Sequence, residues 1–253
     1  MSDEPAIPAA TLVVMRPANG EASAAPPEIL VVERTAAMAF AGGAIVFPGG
    51  RVDPADHALA IALGRPGDAA KITAIRETIE ESAVAVGLAG SLEPLLGPAL
   101  QSALLDGMAF ATLLAEYRLT LDLDALTAFA RWMPAFKQAR RFDTIFFLAR
   151  ALPGEWRPLP QPGECEAAEW ASATALLDRI AAGDATAIFP TKRNLERIAR
   201  HASFDQALDD ARNHSLDTIV PWIEQRGGLP FVCIPEDRGY PITAEPVTTA
   251  LRA

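Results

Sequence analysis

Cysteine is nearly absent. Cys165 and Cys233 are the two in 253 residues, too few for a disulfide framework, and neither sits in a C-x-x-C pair of the kind zinc sites use. Basic residues are in deficit as well: 22 Lys and Arg against 32 Asp and Glu leave a formal net charge of −10. A nucleic-acid binder needs a basic footprint to neutralise phosphates, so this balance argues against one. Long hydrophobic runs are missing too. The uncharged stretch 35–50 is broken by Gly and Pro and falls short of the roughly 18 apolar residues a membrane span requires. The opening MSDEPAIPAA has no basic region followed by an apolar run, so no signal peptide is expected. Together these absences predict a soluble, reducing, cytoplasmic setting without a membrane partner. Histidine numbers three (His57, His201, His214), with no shared spacing, and each is expected at the surface.

What is present is ordinary globular material. Half the residues are apolar and 21% are charged, enough for a sizeable core and unlike a disordered chain. The length suits one large domain or one domain with an appendage. Residues 11–15 (TLVVM) and 28–33 (EILVVE) read as two strands joined by a Gly/Ser/Pro-containing turn. A Gly-rich bend at 41–43 leads into a short strand at 44–47, then Pro48-Gly49-Gly50, then a loop whose middle can form a helical turn. Residues 69–86 have helical periodicity, with Ile72, Ile75, Ile79, Ala83 and Val86 on one stripe, Asp68 at the N-cap and Gly87 as the stop. Short helices are expected over 91–135, strands at 142–149 and 164–171, helices from 173 onward, and a final strand at 230–235. The basic run Lys192, Arg193, Arg197, Arg200 reads as a solvated helix face, and the cysteines as structural.

The chemically informative segment is Arg76-Glu77-Thr78-Ile79-Glu80-Glu81. At 100° per residue, Glu77, Glu80 and Glu81 gather on the side opposite the Ile stripe. Three carboxylates on one turn repel unless they are solvated or neutralised. Hard divalent cations want oxygen ligands, and Glu at i and i+4 can share one. Arg76 stands four residues before Glu80 and can orient it. Upstream, Phe47-Pro48-Gly49-Gly50 brings bare backbone to the helix, where carbonyls can bind metal and amides can approach phosphate.

FPGGRVDPAD followed by AIRETIEESAV resembles the box of the Nudix hydrolase superfamily, G-x5-E-x7-R-E-U-x-E-E-x-G-U with U aliphatic. Gly50, Arg76, Glu77, Glu80 and Glu81 fall on its named positions. The sequence departs in carrying Asp56 for the first Glu, Thr78 for the aliphatic position, Ala83 for the second Gly, and a loop 12 residues longer before Arg76. Insertions there occur in an acyl-CoA-diphosphatase-like branch. A helix running one turn further, to Gly87, is the expected consequence of Ala83. The resemblance implies an α/β fold: an α/β/α sandwich with a mixed sheet, a helical insertion at about 91–135 within a domain spanning 1–185, and a mostly helical C-terminal extension, 186–253, packed on it. It implies divalent-metal-dependent hydrolysis of a diphosphate linkage, with Mg²⁺ or Mn²⁺ held by Glu77 and Glu81, helped by Glu80, Asp56 and the Gly50 carbonyl.

The substrate is read from what surrounds the box. Arg34, Thr35, Gly43 and the FPGG tail resemble the CoA-specific Nudix signature, with Ala39 replacing its second arginine. This implies CoA or acyl-CoA as substrate, giving a phosphopantetheine species and 3′,5′-ADP. The alternatives are ADP-ribose, a dinucleotide or a nucleotide sugar, and a module that binds a nucleotide without hydrolysing it. Arg34, Gly49, Gly50, Arg140 and Arg141 are candidate contacts for a small-molecule diphosphate. The general base would be Glu80 or Glu164, with Glu166 and Glu169 as competitors, and Arg76 belongs to the catalytic set. The Leu-rich stretch 91–130 would pack over the pocket. A homodimer is left open.

Overall fold

The computed structural model describes residues 5–18, 25–38, 41–134 and 141–250. Along the chain, β1 (Ile7–Arg16) and β2 (Glu28–Arg34) precede two very short strands, β3 (Ile45–Val46) and β4 (Gly49–Arg51). Helix α1 (Pro54–Ala62) occupies the long loop of the box, and α2 (Ala69–Ser82) is the carboxylate helix. The ribbon β5 (Leu88–Ala89) and β6 (Thr120–Leu121) brackets α3 (Gly97–Leu105) and α4 (Phe110–Glu116). Strands β7 (Thr127–Trp132), β8 (Phe142–Arg150) and β9 (Cys165–Ser172) follow, then α5 (Ala173–Ala182), α6 (Phe189–Ile198) and α7 (Phe204–Asn213). The chain closes with a meander, β10 (Trp222–Arg226), β11 (Leu229–Cys233) and β12 (Ala244–Pro246), and a single turn, α8 (Val247–Ala250).

Among the described residues, seven strands form one mixed sheet. β1 runs parallel to β8 from Ile7 opposite Phe142 to Met15 opposite Arg150, and β7 lies antiparallel beyond β8. On its other side β1 meets β2 only at Met15 and Arg16, after which the two strands diverge. Segment 45–51 crosses the gap, β3 pairing with β2 and β4 pairing with β1. Strand divergence thus carries the Gly-Gly backbone into the sheet, with Leu12 N–H donating to the Pro48 carbonyl at 2.9 Å.

Side chains alternate across the sheet and build a core on each face. Ala10, Leu12 and Val14 of β1 pack with Ile72, Ile75 and Ile79 of α2 and with Leu100 and Leu113 of the insertion. Val13 and Met15 face the other way, onto Leu176, Leu195, Ile198 and Val232. The result is the α/β/α arrangement expected from the sequence. No helix among the described residues is long and apolar enough to cross a membrane.

Four expectations are corrected. The short helices expected over 91–135 are present as α3, α4 and 3₁₀ turns reaching Ala125, but 127–132 is a strand, because β8 offers a free edge and Phe129 and Trp132 become buried beside it. Helix α2 ends at Ser82 rather than near Gly87, with Ala83 itself left-handed at φ 57°. An alanine there costs about 1–2 kcal/mol, but the turn lets Val84, Ala85 and Val86 all be buried, which a continuing amphipathic helix would not. The basic run of α6 is partly inside: Arg193 and Arg197 are each 1% exposed and Lys192 is half-buried, while Arg200, past the helix end, is exposed as expected. His201 and His214 are half-buried and both approach Asp210, at 3.6 and 3.4 Å, while His57 is exposed as expected.

Candidate active site

Gly49 lies so close to the β1 backbone that no side chain fits, and Gly50 lies against the movable carboxylate of Glu77. A Cβ on Gly49 would stand 2.4 Å from the Ala10 carbonyl oxygen, and one on Gly50 would stand 2.4 Å from the Glu77 carboxyl carbon. Each distance is shorter than any real carbon contact, so the missing side chains allow the loop to lie directly on β1 and α2.

Against this loop stands Glu81. It is 2% exposed, so water does not neutralise it. The Gly49 N–H donates to its Oε2 at 3.0 Å, and the Arg34 guanidinium Nη1 lies 3.5 Å from its Oε1. Burial, and then the negative charge of Glu77, push the Glu81 carboxyl up to about 8, with Gly49 and Arg34 only partly opposing. Burial likewise lifts Glu77 to about 7 against the pull of Arg76, and raises Glu80 in the same sense.

Arg76 is the hub. Its Nη1 donates to Glu77 at 2.9 Å and to Glu80 at 3.1 Å, the i,i+4 pair expected from the sequence. Its Nε and Nη2 form a fork onto the two oxygens of Asp56, at 3.1 and 2.9 Å. Burial works against the charge of Arg76, but Asp56, Glu77 and Glu80 hold its pKa above the ordinary arginine value. Asp56 also accepts from the Thr73 hydroxyl at 2.8 Å and from the Asp53 N–H at 3.1 Å, as the reciprocal partner in the capping box of α1. Helix α1 delivers this carboxylate to Arg76 despite its shorter side chain.

The remaining candidates separate. Glu164 sits before β9, its carbonyl accepting from the Thr35 N–H at 2.8 Å, and its charge is felt by Glu81. Glu166 accepts from the Ala36 N–H at 3.4 Å, and Glu169 pairs with Arg179 on α5. Arg141 lies at the mouth of β8 against the Met133 sulfur, with its backbone carbonyl bonded to Ile7. Arg140 and Ala39 lie outside the described residues. Cys165, a free and buried thiol beside the site, is pushed by burial up to about 12, which suits a packing role. Sequence reasoning missed Gln101, whose side-chain amide reaches the backbone of Glu80; a lone Gln in an amphipathic helix carries no signal of it.

Among the described residues, no three His, Cys, Asp or Glu side chains already converge as a metal cage. The donor chemistry nevertheless suits a hard divalent cation. Four buried or half-buried carboxylates (Asp56, Glu77, Glu80, Glu81) face two arginines, and Glu77 and Glu81 both hold protons more tightly than ordinary carboxylates. Asp56 has both oxygens committed to Arg76, Thr73 and Asp53, whereas Glu81 holds one firm bond.

No protein-family model and no curated protein matches this chain. Among solved structures it is similar to the crystal structure of a NUDIX hydrolase from Alicyclobacillus acidocaldarius, at 30% identity and a TM-score of 0.67, covering 82% of this chain and 97% of that one. It is more distantly similar to the NUDIX domain of Shewanella oneidensis NrtR complexed with ADP ribose (12% identity, TM-score 0.46, covering 79% and 89%). The MutT protein of Methanosarcina mazei Go1 stands at a like distance (14% identity, TM-score 0.45, covering 79% and 97%). Likenesses this remote bear neither on the substrate nor on the site.

Proposed function

The chain belongs to the Nudix hydrolase family, and from that premise we propose that it hydrolyses the diphosphate linkage of a small nucleotide-containing molecule with the help of Mg²⁺ or Mn²⁺. One observation carries this reading: Glu77, Glu80 and Glu81 are packed beside the bare Gly49–Gly50 backbone with less positive charge than they need. Glu77 and Glu81 would hold the cation, with Glu80 and the Gly50 carbonyl completing the oxygen set. Bound there, a divalent ion supplies charge neutralisation for the diphosphate and lowers the pKa of water.

The protein's own groups do the rest. Arg76 fixes the rotamers of Glu77 and Glu80 by bonding both, and Asp56 fixes Arg76. Glu80 or Glu164 takes the proton of the attacking water. The absence of side chains at Gly49 and Gly50 lets the loop lie against β1 and the Glu77 carboxylate, which keeps the Gly49 N–H within reach of Glu81. An anionic substrate should bind weakly to this acidic site until a cation reverses the local sign.

For the substrate we propose CoA or acyl-CoA, supported by Arg34, Gly43 and the FPGG spacing. A second reading, ADP-ribose or a similar nucleotide, is supported by the position of Arg34. Its guanidinium is turned onto Glu81, and Ala39 supplies no second cation for the extra phosphate of CoA. The two buried, unpaired cysteines support a reducing, cytoplasmic setting. The test is hydrolysis of CoA, an acyl-CoA, ADP-ribose and NADH with Mg²⁺ and with Mn²⁺, in wild type and Glu81→Gln. Turnover that needs the metal and is lost in the variant is expected. Tight binding of these molecules with no phosphate-ester product would overturn hydrolysis, and turnover unaffected by Glu81→Gln would overturn the site.

A further inference from the structure

Helix α2 carries two of its candidate carboxylates, Glu80 and Glu81, on its last turn, where a helix is least constrained. The final carbonyls of a helix lack intrahelical partners and the turn frays unless something outside bonds them. Here the chain leaves the helix abruptly at left-handed Ala83. Three carbonyls are then taken by three donors from elsewhere. Gln101 Nε2 of α3 donates to the Glu80 carbonyl at 2.9 Å, Gln161 N–H to that of Glu81 at 3.2 Å, and Leu159 N–H to that of Ser82 at 2.8 Å. Gln101, 6% exposed, spends a second bond of the same nitrogen on the Leu159 carbonyl at 3.0 Å. One buried amide therefore clasps the helix end to the Pro-rich loop 157–163.

That loop continues straight to Glu164 and is held at its far end by Thr35, whose N–H donates to the Glu164 carbonyl at 2.8 Å and whose hydroxyl donates to that of Gly163 at 3.4 Å. The clasp thus lies between the helix bearing Glu80 and Glu81 and the loop bearing Glu164. Its neighbours on α3, Leu100 and Leu104, are buried in the core and hold α3 in place by packing alone. The polar clasp and the apolar seat of α3 are separable.

We propose that Gln101, supplied by the helical insertion, is a positioning residue that sets the carboxylates of the last turn of α2 relative to the loop of Glu164, and so tunes the affinity for the divalent cation. The idea rests on the metal reading above. A residue that orients ligands from behind typically contributes about 10-fold to metal affinity.

The test uses the full chain and Mn²⁺ alone, with binding followed by calorimetry and by Mn²⁺ spin resonance at a temperature well below Tm. Gln101→Met keeps the volume and removes both donated bonds, and Mn²⁺ binding should weaken about 10-fold. Leu159→Pro removes the loop's N–H to Ser82 and sets a proline ring against that carbonyl, so it should weaken binding in the same direction from the loop side; Gln101→Leu, which also removes both donated bonds, serves if Gln101→Met fails to fold. Leu104→Ala, on the same helix but in its apolar seat, should lower Tm while leaving the Mn²⁺ Kd within about twofold. Wild-type affinity in Gln101→Met, or in Gln101→Leu where that variant stands in, would overturn the inference, and so would equal weakening by Leu104→Ala. A wild-type protein that binds no Mn²⁺ would instead overturn the metal reading, and this inference with it.

Discussion

Two clusters of buried charge, one on each side of the sheet, are built on opposite principles. On α6, Lys192, Arg193 and Arg197 meet Glu196, Glu245 and Asp210, three cations against three carboxylates. Arg197 is fully committed, with Asp210 at 2.7 Å, the Phe129 carbonyl at 3.1 Å and the rings of Phe129 and Tyr240 stacked on it. Burial pushes Asp210 up, yet contacts with His201 and Arg197 bring it below the usual carboxylate range, while Glu196 on α6 is left raised by burial to about 7. On α2, four carboxylates share two arginines, and Glu77 and Glu81 are driven up to about 7 and about 8. A matched cluster closes a structure, tying β12 and α7 to α6. The unmatched one is the proposed cation site, and the ratio of basic side chains to carboxylates is what sets the two clusters apart.

Removing one partner from each side is the sharpest way to break this contrast. Arg197→Met should strand Asp210 and the Phe129 carbonyl and destabilise the protein by about 3–5 kcal/mol, seen in chemical denaturation as a lower midpoint with unchanged slope. Glu81→Gln should do the reverse: metal-dependent kcat/KM falls by about 100-fold, near 2.7 kcal/mol of transition-state stabilisation. Its Tm without metal should hold or rise, because a crowded charge has gone. A large stability loss in Glu81→Gln would show that both clusters are structural.

Asp56→Asn comes next. Arg76 would keep Glu77 and Glu80 but lose its charged fork, so activity should fall about 10-fold, with a rise in the metal concentration needed for half-maximal rate. Wild-type metal dependence would place Asp56 outside the site's support.

The smallest effect is the pH dependence. Glu77 and Glu81 keep protons to higher pH in the folded chain than an ordinary carboxylate near 4.5 does. The folded state therefore binds more protons than the unfolded one between those values, and stability falls as pH rises. Metal-free Tm should drop by a few degrees from pH 5 to pH 8. Burial raises Glu196 to about 7, which acts in the same direction, so the share of the site is the difference between wild type and Glu81→Gln. Saturating Mg²⁺ should flatten that difference. A wild-type curve parallel to that of Glu81→Gln would show that the α2 cluster is not strained by its charge.

Much of this was legible in the residues. The alternating apolar runs at 11–15, 28–33 and 142–149 became β1, β2 and β8, and the Ile72, Ile75, Ile79 stripe faces the sheet as its spacing required. Arg76 and Glu80 paired because i,i+4 neighbours on a helix must meet. The failures share one cause. The arginines of α6 look solvated because their partners, Glu245 and Asp210, stand 52 and 13 residues away. The strand over 127–132 required the edge of β8, and the two histidines required Asp210 to draw them together.

Local spacing by itself determined the carboxylate turn, the Gly-Gly loop and the two-faced sheet strands, since helix and strand periods are properties of the backbone. Only the tertiary structure decided which of those charges lost their water. Burial belongs to what packs over a residue rather than to its neighbours in the chain, and it turned Arg197 into a strut and Glu81 into a candidate ligand. The scarcity of basic residues acquires a location in the same way: within the fold, the missing positive charge is missing at α2.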